Sequence, residues 1–330
     1  MFRSRAATDP RDKLYGILGL ATGPFAALVE PDYTRSAEDV FTDATIALVR
    51  RTGKLDVFGH LGGERNLTGL PSFVPDWTSV GKEALHGFVG THFFQTDAVD
   101  VYNACGANGE AELKLVALGV AAVKGIEFDV VVATGAAAGD GNMISLLENW
   151  RSVIGLSSDA DSTYCNTKST REDAFWHTLC GGLLVYAHGR DQFSRPLEHD
   201  RDLAKFKKWH AWLMANSSSA EQISFDLDIS SISGAISCTT DGRRFFTTAK
   251  GFFGFGPQST TKGDTVAVLC GGHLPYVLQR ERQDTSLPGQ HHSEIASRVL
   301  GDCYVNGIMY GEAFKLAGGT QVSVGDVLLK

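Results

Sequence analysis

Residues 243–312 constrain the fold of this chain more than any other stretch. The segment alternates short β-branched and aromatic runs with glycine, proline and aspartate, as in residues 251–257 and 262–270. Runs of this kind, separated by turn residues, are typical of successive antiparallel strands joined by tight turns. The sequence therefore predicts a small β-rich unit in the last third of the chain.

The remaining strands and helices occupy separate stretches. Apolar strand patterns recur between residues 113 and 132, and helical spacing of apolar residues marks 143–154, 171–186 and 201–215. Strands and helices that are segregated in this way favour an α+β fold over a doubly wound parallel sheet. We expect an antiparallel β-rich body, similar to a barrel or a sandwich, with a peripheral block of helices.

Three regions follow from these patterns. Residues 1–135 are predicted to hold an N-terminal helix and strands, residues 136–220 the helical block, and residues 221–330 the C-terminal β-rich unit. A stretch rich in glycine and alanine, residues 134–142, is interpreted as a flexible connection. The first and last regions are expected to share one core and to form a single compact domain.

Composition excludes several classes of protein. With 330 residues, 43% hydrophobic residues and a formal net charge of -8, the chain is typical of a soluble globular protein and lacks the clustered basic residues of a nucleic-acid-binding surface. No apolar run approaches the roughly 18 residues that cross a bilayer, and the N-terminus lacks the apolar segment of a secretory signal. We expect no nucleic-acid partner, no membrane span and a cytoplasmic location.

Common catalytic and metal-binding motifs are absent from the sequence. It has no Gly-x-Ser-x-Gly, His-Glu-x-x-His, Walker or EF-hand pattern, and its six cysteines include no Cys-x-x-Cys pair. His177 and Cys180 are a weak candidate for a base and a nucleophile, and His291 and His292 beside Glu294 are a weak metal site. No cofactor or metal is therefore expected.

Several short motifs resemble one known family. They are Arg-Asp-Lys-Leu-Tyr-Gly-Ile-Leu-Gly-Leu at 11–20, Leu-Pro-Ser-Phe-Val-Pro-Asp-Trp-Thr at 70–78, Arg-Arg-Phe-Phe at 243–246, Gly-Phe-Gly-Pro at 254–257 and Gly-Asp-Cys-Tyr-Val-Asn-Gly-Ile-Met-Tyr-Gly-Glu at 301–312. In this order they resemble the C-terminal body of fungal heterokaryon-incompatibility (HET-domain) proteins. The family usually has His where Asn306 stands and Asp where Tyr310 stands.

The resemblance covers only the downstream half of the family's proteins. The family's N-terminal domain is similar to TIR-type signalling domains and is held to trigger cell death. The resemblance therefore implies a chain without that effector domain, and a toxic effector role is not expected. One interpretation is a truncated member that has been recruited to a biosynthetic gene cluster.

Polar residues embedded among aromatic ones make the β-rich unit the best place for a site. Arg243, His273, Tyr276 and Tyr304 occur in the sequence among phenylalanines such as Phe253. Ligand pockets are mostly apolar with a few convergent polar groups, which is the composition of this stretch. The alternative is that the same residues form a well-packed core in which every polar group is hydrogen-bonded.

The first functional hypothesis, which the resemblance suggests, is a cofactor-independent enzyme of fungal specialised metabolism. It would be a cyclase catalysing a Diels–Alder-type or isomerising step on a hydrophobic terpenoid or polyketide. Such chemistry needs a shaped apolar cavity and one or two hydrogen-bond donors. The predicted catalytic donors are Arg243, His273 and Tyr304. The residues predicted to bind the substrate are Trp77, Trp176, Phe253 and Tyr276.

The second hypothesis is a non-enzymatic recognition or regulatory fragment of a heterokaryon-incompatibility (cell-death) protein, which would bind a protein partner. An exposed aromatic patch would favour such an interface, whereas an enclosed cavity would favour a small molecule. A third alternative is a remnant without activity, since function resides in a site and not in a fold. The sequence leaves the substrate and the oligomeric state open.

Overall fold

The computed structural model describes most of the chain. The described residues are 7–18, 29–61, 65–79, 101–165, 167–188, 191–216, 226–280, 296–315 and 324–330. Within them, the α-helices are α1 (Asp12–Leu18), α2 (Ala37–Thr52), α3 (Met143–Val153), α4 (Leu156–Asp159), α5 (Arg171–Leu179), α6 (His199–Ala215) and α7 (Leu227–Thr240). The strands are β1 (Lys114–Ala117), β2 (Val120–Ala137), β3 (Leu183–His188), β4 (Asp191–Pro196), β5 (Arg243–Thr248), β6 (Phe253–Pro257), β7 (Thr265–Leu269), β8 (Tyr276–Arg280), β9 (Ser297–Asp302), β10 (Tyr304–Val305) and β11 (Gly325–Leu329). Short 3-10 helices cover Asp56–His60 and Glu312–Phe314.

Five strands close into a barrel. The ring runs from β2 through β11, β9, β8 and β7 back to β2. Neighbouring strands are antiparallel except β11 and β9, which pair in parallel with Leu329 opposite Ser297. Strands β5, β6 and β10 extend the sheet from β2 beyond the barrel. The predicted α+β fold with a β-rich body is confirmed, with the difference that the barrel is mixed and not purely antiparallel.

Strand β2 joins the barrel to the outer sheet. Its first part pairs with β11 and β7, and from Val131 onward it pairs with β5. The flexible connection predicted at residues 134–142 is wrong for its first part, because β2 continues to Ala137 and the predicted boundary after residue 135 lies inside it. Small residues are needed there because a Cβ on Gly135 would lie 2.6 Å from Cδ1 of Trp150.

The sheet separates two hydrophobic cores. Strand β7 is buried along its whole length and sends alternate residues to each, Val266 and Val268 to one and Ala267 and Leu269 to the other. This alternation follows from the two-residue period of a β-strand. A strand that is buried on both faces therefore needs a continuous run of apolar residues, which is the pattern of β7 after Thr265.

We name the two cores by their composition. The aromatic core packs helices α3, α5, α6 and α7 against the outer sheet, and its largest fully buried side chains are Tyr102, Trp150, Tyr164, Phe175, Trp176, Phe245, Phe246, Phe253 and Phe255. The barrel core takes residues from all five barrel strands and from α2, and includes Phe41, Phe58, Phe73, Tyr276, Leu278, Val299, Val327 and Leu329.

Helix α2 begins and ends at residues that commonly mark helix ends. The Ser36 side chain caps its N-terminus by accepting a hydrogen bond from the Asp39 N–H at 3.1 Å. At the other end Gly53 takes a left-handed φ of 65° and donates its N–H to the Val49 carbonyl. A serine N-cap and a left-handed glycine after the last turn are both common helix-end signals.

Two other expectations differ from the structure. The helix predicted over residues 171–186 ends at Leu179, because Gly181 and Gly182 take positive φ values of 60° and 68° and the chain continues as the hairpin of β3 and β4. The region predicted as β-rich from residue 221 also contains α7. Its many serine and threonine residues have modest helix propensity, and the helix is instead held by burial and by its N-cap, Asp226.

Candidate functional site

A small polar recess lies where the Asp56–His60 helix meets the loop after β7 and the end of β9. It has room for about one or two water molecules. The recess is lined by Leu55, Asp56, Gly59, His273, Leu274, Tyr276 and Asp302. Two of the residues predicted from the sequence, His273 and Tyr276, therefore line one space, and Arg243 reaches it through Asp302.

Asp302 and Arg243 form a buried ion pair at the floor of the recess. The two side chains are 8% and 12% exposed, and an Arg243 guanidinium nitrogen lies 2.5 Å from Asp302 Oδ1. A second guanidinium nitrogen donates to the Asp302 backbone carbonyl at 3.1 Å. Burial raises the pKa of the Asp302 carboxyl, and the adjacent guanidinium opposes that rise. Asp302 thus neutralises the charge of Arg243 within the protein, and the guanidinium does not face a ligand as an unpaired cation.

The His273 ring is fixed by the neighbouring chain. Its Nδ1 lies 3.0 Å from the Tyr102 carbonyl oxygen. Because a carbonyl can only accept, Nδ1 carries the hydrogen and donates it. The other nitrogen, Nε2, then lies on the side of Asp56, 3.8 Å from its Oδ1. A neutral His273 therefore presents an acceptor, not a donor, toward Asp56.

Tyr276 connects the barrel to the wall of the recess. Its hydroxyl donates to the Leu55 carbonyl at 3.4 Å, and its ring packs edge-on against Phe58 with 5.6 Å between ring centroids. Burial raises the pKa of Tyr276 well above its usual value, so the phenol stays neutral. The Leu55 N–H donates in turn to the Gly271 carbonyl at 3.0 Å. These contacts hold the two walls of the recess together.

Three predicted residues lie in the aromatic core, away from the recess. The Tyr304 ring is 6.0 Å from the Tyr102 ring, and its hydroxyl lies against Gly182, where a Cβ would be only 2.9 Å away. Burial raises the pKa of Tyr304 as well. Phe253 packs against Tyr164, and Trp176 against Phe206 of α6, with centroids 4.8 and 5.5 Å apart.

Trp77 lies neither at the recess nor in the aromatic core, and it packs against the barrel core. Its ring is 5.5 Å from that of His60, and its indole N–H has no hydrogen-bond partner among the described residues. Its loop is anchored by Arg65, whose guanidinium donates to the backbone carbonyls of residues 70, 71, 72 and 74. The proline-rich motif at residues 70–78 is therefore held by hydrogen bonds to its backbone.

The weak candidates from the sequence gain no support from their surroundings. Burial lowers the pKa of His177 to about 4 and raises that of the Cys180 thiol, so the thiolate that a nucleophile needs is disfavoured. His291, His292 and Glu294 lie outside the described residues. Among the described ranges, no group of three His, Cys, Asp or Glu side chains is placed to hold a metal ion.

The two positions that depart from the family pattern both donate hydrogen bonds within the protein. The Asn306 side-chain amide donates to the Ala174 carbonyl at 3.0 Å, which ties the loop after β10 to α5. The Tyr310 N–H donates to a Glu312 carboxylate oxygen at 2.6 Å. The Asn306 side chain therefore joins the loop after β10 to α5. At Tyr310 the hydrogen bond is made by the backbone N–H and not by the side chain.

Sequence reasoning missed the two carboxylates of the recess, Asp56 and Asp302. Asp302 could have been found, because an acidic residue between the apolar runs of β9 and β10 needs a cationic partner when buried, and Arg243 was already singled out. Asp56 gives no such signal. Its position beside His273 arises only when the Asp56–His60 helix packs on the barrel.

The fold and the recess define a β-barrel body with an outer sheet and a helical layer. Within the part of the chain that the structure describes, no helix is long and apolar enough to cross a membrane. Residues 225–318 match the Het-6 beta-barrel domain. This range includes α7, β5 to β10 and the residues Arg243, His273, Tyr276 and Asp302, while β2 and β11 complete the barrel from outside it.

The wider comparison extends the similarity beyond that domain. The chain is 25% identical over 344 aligned residues to heterokaryon incompatibility protein 6, OR allele, from Neurospora crassa, an alignment that covers 92% of this chain and 49% of that protein. The chain thus spans about half the length of this curated relative. No solved structure matches it. The predicted resemblance is confirmed: the chain is similar to a heterokaryon-incompatibility protein over most of its length, and residues 225–318 match the Het-6 beta-barrel domain.

Proposed function

We propose that the chain is a recognition body of a heterokaryon-incompatibility system, which binds a protein partner and does not convert a small molecule. The observation that carries this proposal is the extent of the similarity to heterokaryon incompatibility protein 6. It covers 92% of the chain, and so includes residues of both hydrophobic cores as well as the recess. A body of the same kind would serve a related recognition event.

The placement of the polar residues also favours recognition over catalysis. The cyclase hypothesis asks Arg243, His273 and Tyr304 to donate to one substrate carbonyl. Arg243 is ion-paired with Asp302, and His273 donates to the Tyr102 carbonyl. Tyr304 lies in the aromatic core, away from both. The recess is far smaller than the 300–1,000 Å³ or so of a usual ligand pocket. The cyclase hypothesis therefore has weaker support.

A heterokaryon assay tests the proposal. The chain would be expressed in a Neurospora crassa strain that lacks its own heterokaryon incompatibility protein 6, and the strain would be fused with testers that carry the OR allele and with testers that lack it. We expect the chain to change the frequency of stable heterokaryons with at least one tester, relative to the empty vector. Equal frequencies with and without the chain, at confirmed protein levels, would count against recognition.

A metabolite comparison tests the enzymatic alternative. Purified protein and a boiled control would each be incubated with extract from a strain without the gene, and the products compared by mass spectrometry. Recognition predicts identical traces. A peak that is replaced by another of the same mass would instead support an isomerase or cyclase. The cytoplasmic location and the hydrophobic substrate stay predictions.

A further inference from the structure

We propose that the recess receives the ammonium group of a lysine side chain from the protein partner. The inference rests on the proposed recognition function and names the chemistry that the recess would recognise. Three observations carry it: an acceptor without a donor, the charge of the recess, and its size.

The first observation is the second carboxylate oxygen of Asp302. Arg243 binds Oδ1 and the backbone carbonyl of Asp302, and among the described residues no donor reaches Oδ2. Oδ2 points toward Gly59 and would lie 3.8 Å from a Cβ at that position. The side chain is only 8% exposed. Asp302 lines the recess, so a charged donor that enters the recess can make a charge-assisted hydrogen bond to this oxygen.

The second observation is the balance of charge. Asp56 and Asp302 contribute two negative charges to the lining, and Arg243 contributes one positive charge behind it. These three groups sum to one net negative charge. Asp56 is half exposed at the rim, where it can meet a cation first. Complementary charge selects a cationic group and disfavours an anionic one.

The third observation is size. Room for about one or two water molecules suits an ammonium group, which is compact and carries three N–H donors. The carboxylate oxygens of Asp302 and Asp56 supply acceptors for two of them. The apolar stem of the lysine would then extend from the recess toward solvent past Asp56 at the rim.

Gly59 allows the recess to be filled without disturbing the fold. Its φ lies outside the left-handed region, and among the described residues only Asp302 Oδ2 lies within 4 Å of an added Cβ. Gly59→Ala should therefore fold normally and cover the acceptor. Gly234→Ala is the matched control, because this glycine lies in α7 and no atom of the described ranges comes within 4 Å of an added Cβ.

Nuclear magnetic resonance titration of the full chain tests the inference. The probes are N-acetyl-lysine methylamide and its uncharged analogue N-acetyl-norleucine methylamide. We expect the lysine probe to shift the backbone amide signals of Gly59 and His273, at least tenfold weaker binding by Gly59→Ala, and wild-type binding by Gly234→Ala. Equal shifts from both probes, no shift from either, or unchanged binding by Gly59→Ala would overturn the proposal.

The titration and the heterokaryon assay fail independently. If the lysine probe binds but the chain has no effect on heterokaryons, the recess takes a cation and the recognition function is wrong. If heterokaryons respond but the lysine probe does not bind, recognition stands and the lysine assignment is wrong.

Discussion

The Arg243–Asp302 pair is the clearest example of a single contact on which both the fold and the recess depend. Removing one partner of a buried ion pair leaves an uncompensated charge and usually costs about 3–5 kcal/mol. Arg243→Met should therefore lower the free energy of unfolding by about that amount in urea denaturation. The adjacent Arg244 bonds the Gln258 carbonyl at an exposed position, so Arg244→Met should lose about 1 kcal/mol or less. Equal losses of unfolding free energy in the two variants would contradict the assignment of a buried Arg243–Asp302 ion pair.

His177 should make stability depend on pH. Burial, followed by the nearby His199, lowers its pKa to about 4, whereas an unfolded histidine titrates near about 6.5. Between these values the unfolded chain binds the extra proton, so stability falls as pH falls, by about 1.4 kcal/mol per pH unit. We expect His177→Gln to flatten the dependence of unfolding free energy on pH between 6.5 and 4, measured by urea denaturation.

His199 should make stability depend on pH in the opposite direction to His177. Hydrogen bonds to Asp173 and then Asp200 raise its pKa, so its stabilisation is fully present below about pH 6.5 and is lost as pH rises through the folded pKa. The ring is 44% exposed, which limits the contribution to about 0.5 kcal/mol. His199→Gln should cost more stability at pH 6 than at pH 8. The same pH trend in the His177 and His199 variants would be evidence against these surroundings.

At the scale of elements, the start of α5 depends on a reciprocal cap. The Thr170 hydroxyl accepts the Asp173 N–H at 3.1 Å, and the Asp173 carboxylate accepts the Thr170 N–H. Loss of such a cap costs about 1 kcal/mol. Thermal or urea denaturation of Thr170→Ala should show this loss, and Thr170→Ser should retain most of the stability. If serine and alanine were equally destabilising, the cap would not be the cause.

A comparison of the helices explains why some elements could be predicted from the sequence and others could not. Helix α2 has an apolar face between Ser36 and Gly53, so its limits are local and readable. Helix α7 is rich in serine and threonine, and its helical state depends on burial against other elements, which local sequence does not record. The early end of α5 was signalled by Gly181-Gly182, but the apolar spacing that continues beyond them favoured a helix.

At the scale of the whole molecule, β11 closes the barrel, and its alternate residues should differ in importance. Leu329 is fully buried in the barrel core, whereas Leu328 is only partly buried. Leu329→Ala should cost about 2–5 kcal/mol in urea denaturation, as is usual for a fully buried leucine. Leu328→Ala should cost clearly less. Equal effects would show that β11 does not pack into the barrel as described.

Neither the closure of the barrel nor the full set of recess residues could be predicted from local sequence patterns. The polar residues His273, Tyr276 and Arg243 could be singled out, because they stand among aromatic residues of the β-rich unit. The parallel pairing of β11 with β9 and the approach of Asp56 to His273 join distant parts of the chain. No local pattern encodes such contacts, so the carboxylates of the recess emerged only from the fold. The single-domain organisation stays a prediction.

The most direct test of recognition through the recess is the heterokaryon assay repeated with the two glycine variants. Wild type, Gly59→Ala and Gly234→Ala would be expressed at matched levels and fused with the same testers. We predict that Gly234→Ala acts like the wild-type chain and that Gly59→Ala acts like the empty vector. If Gly59→Ala kept the wild-type effect, the recess would not be the recognition site.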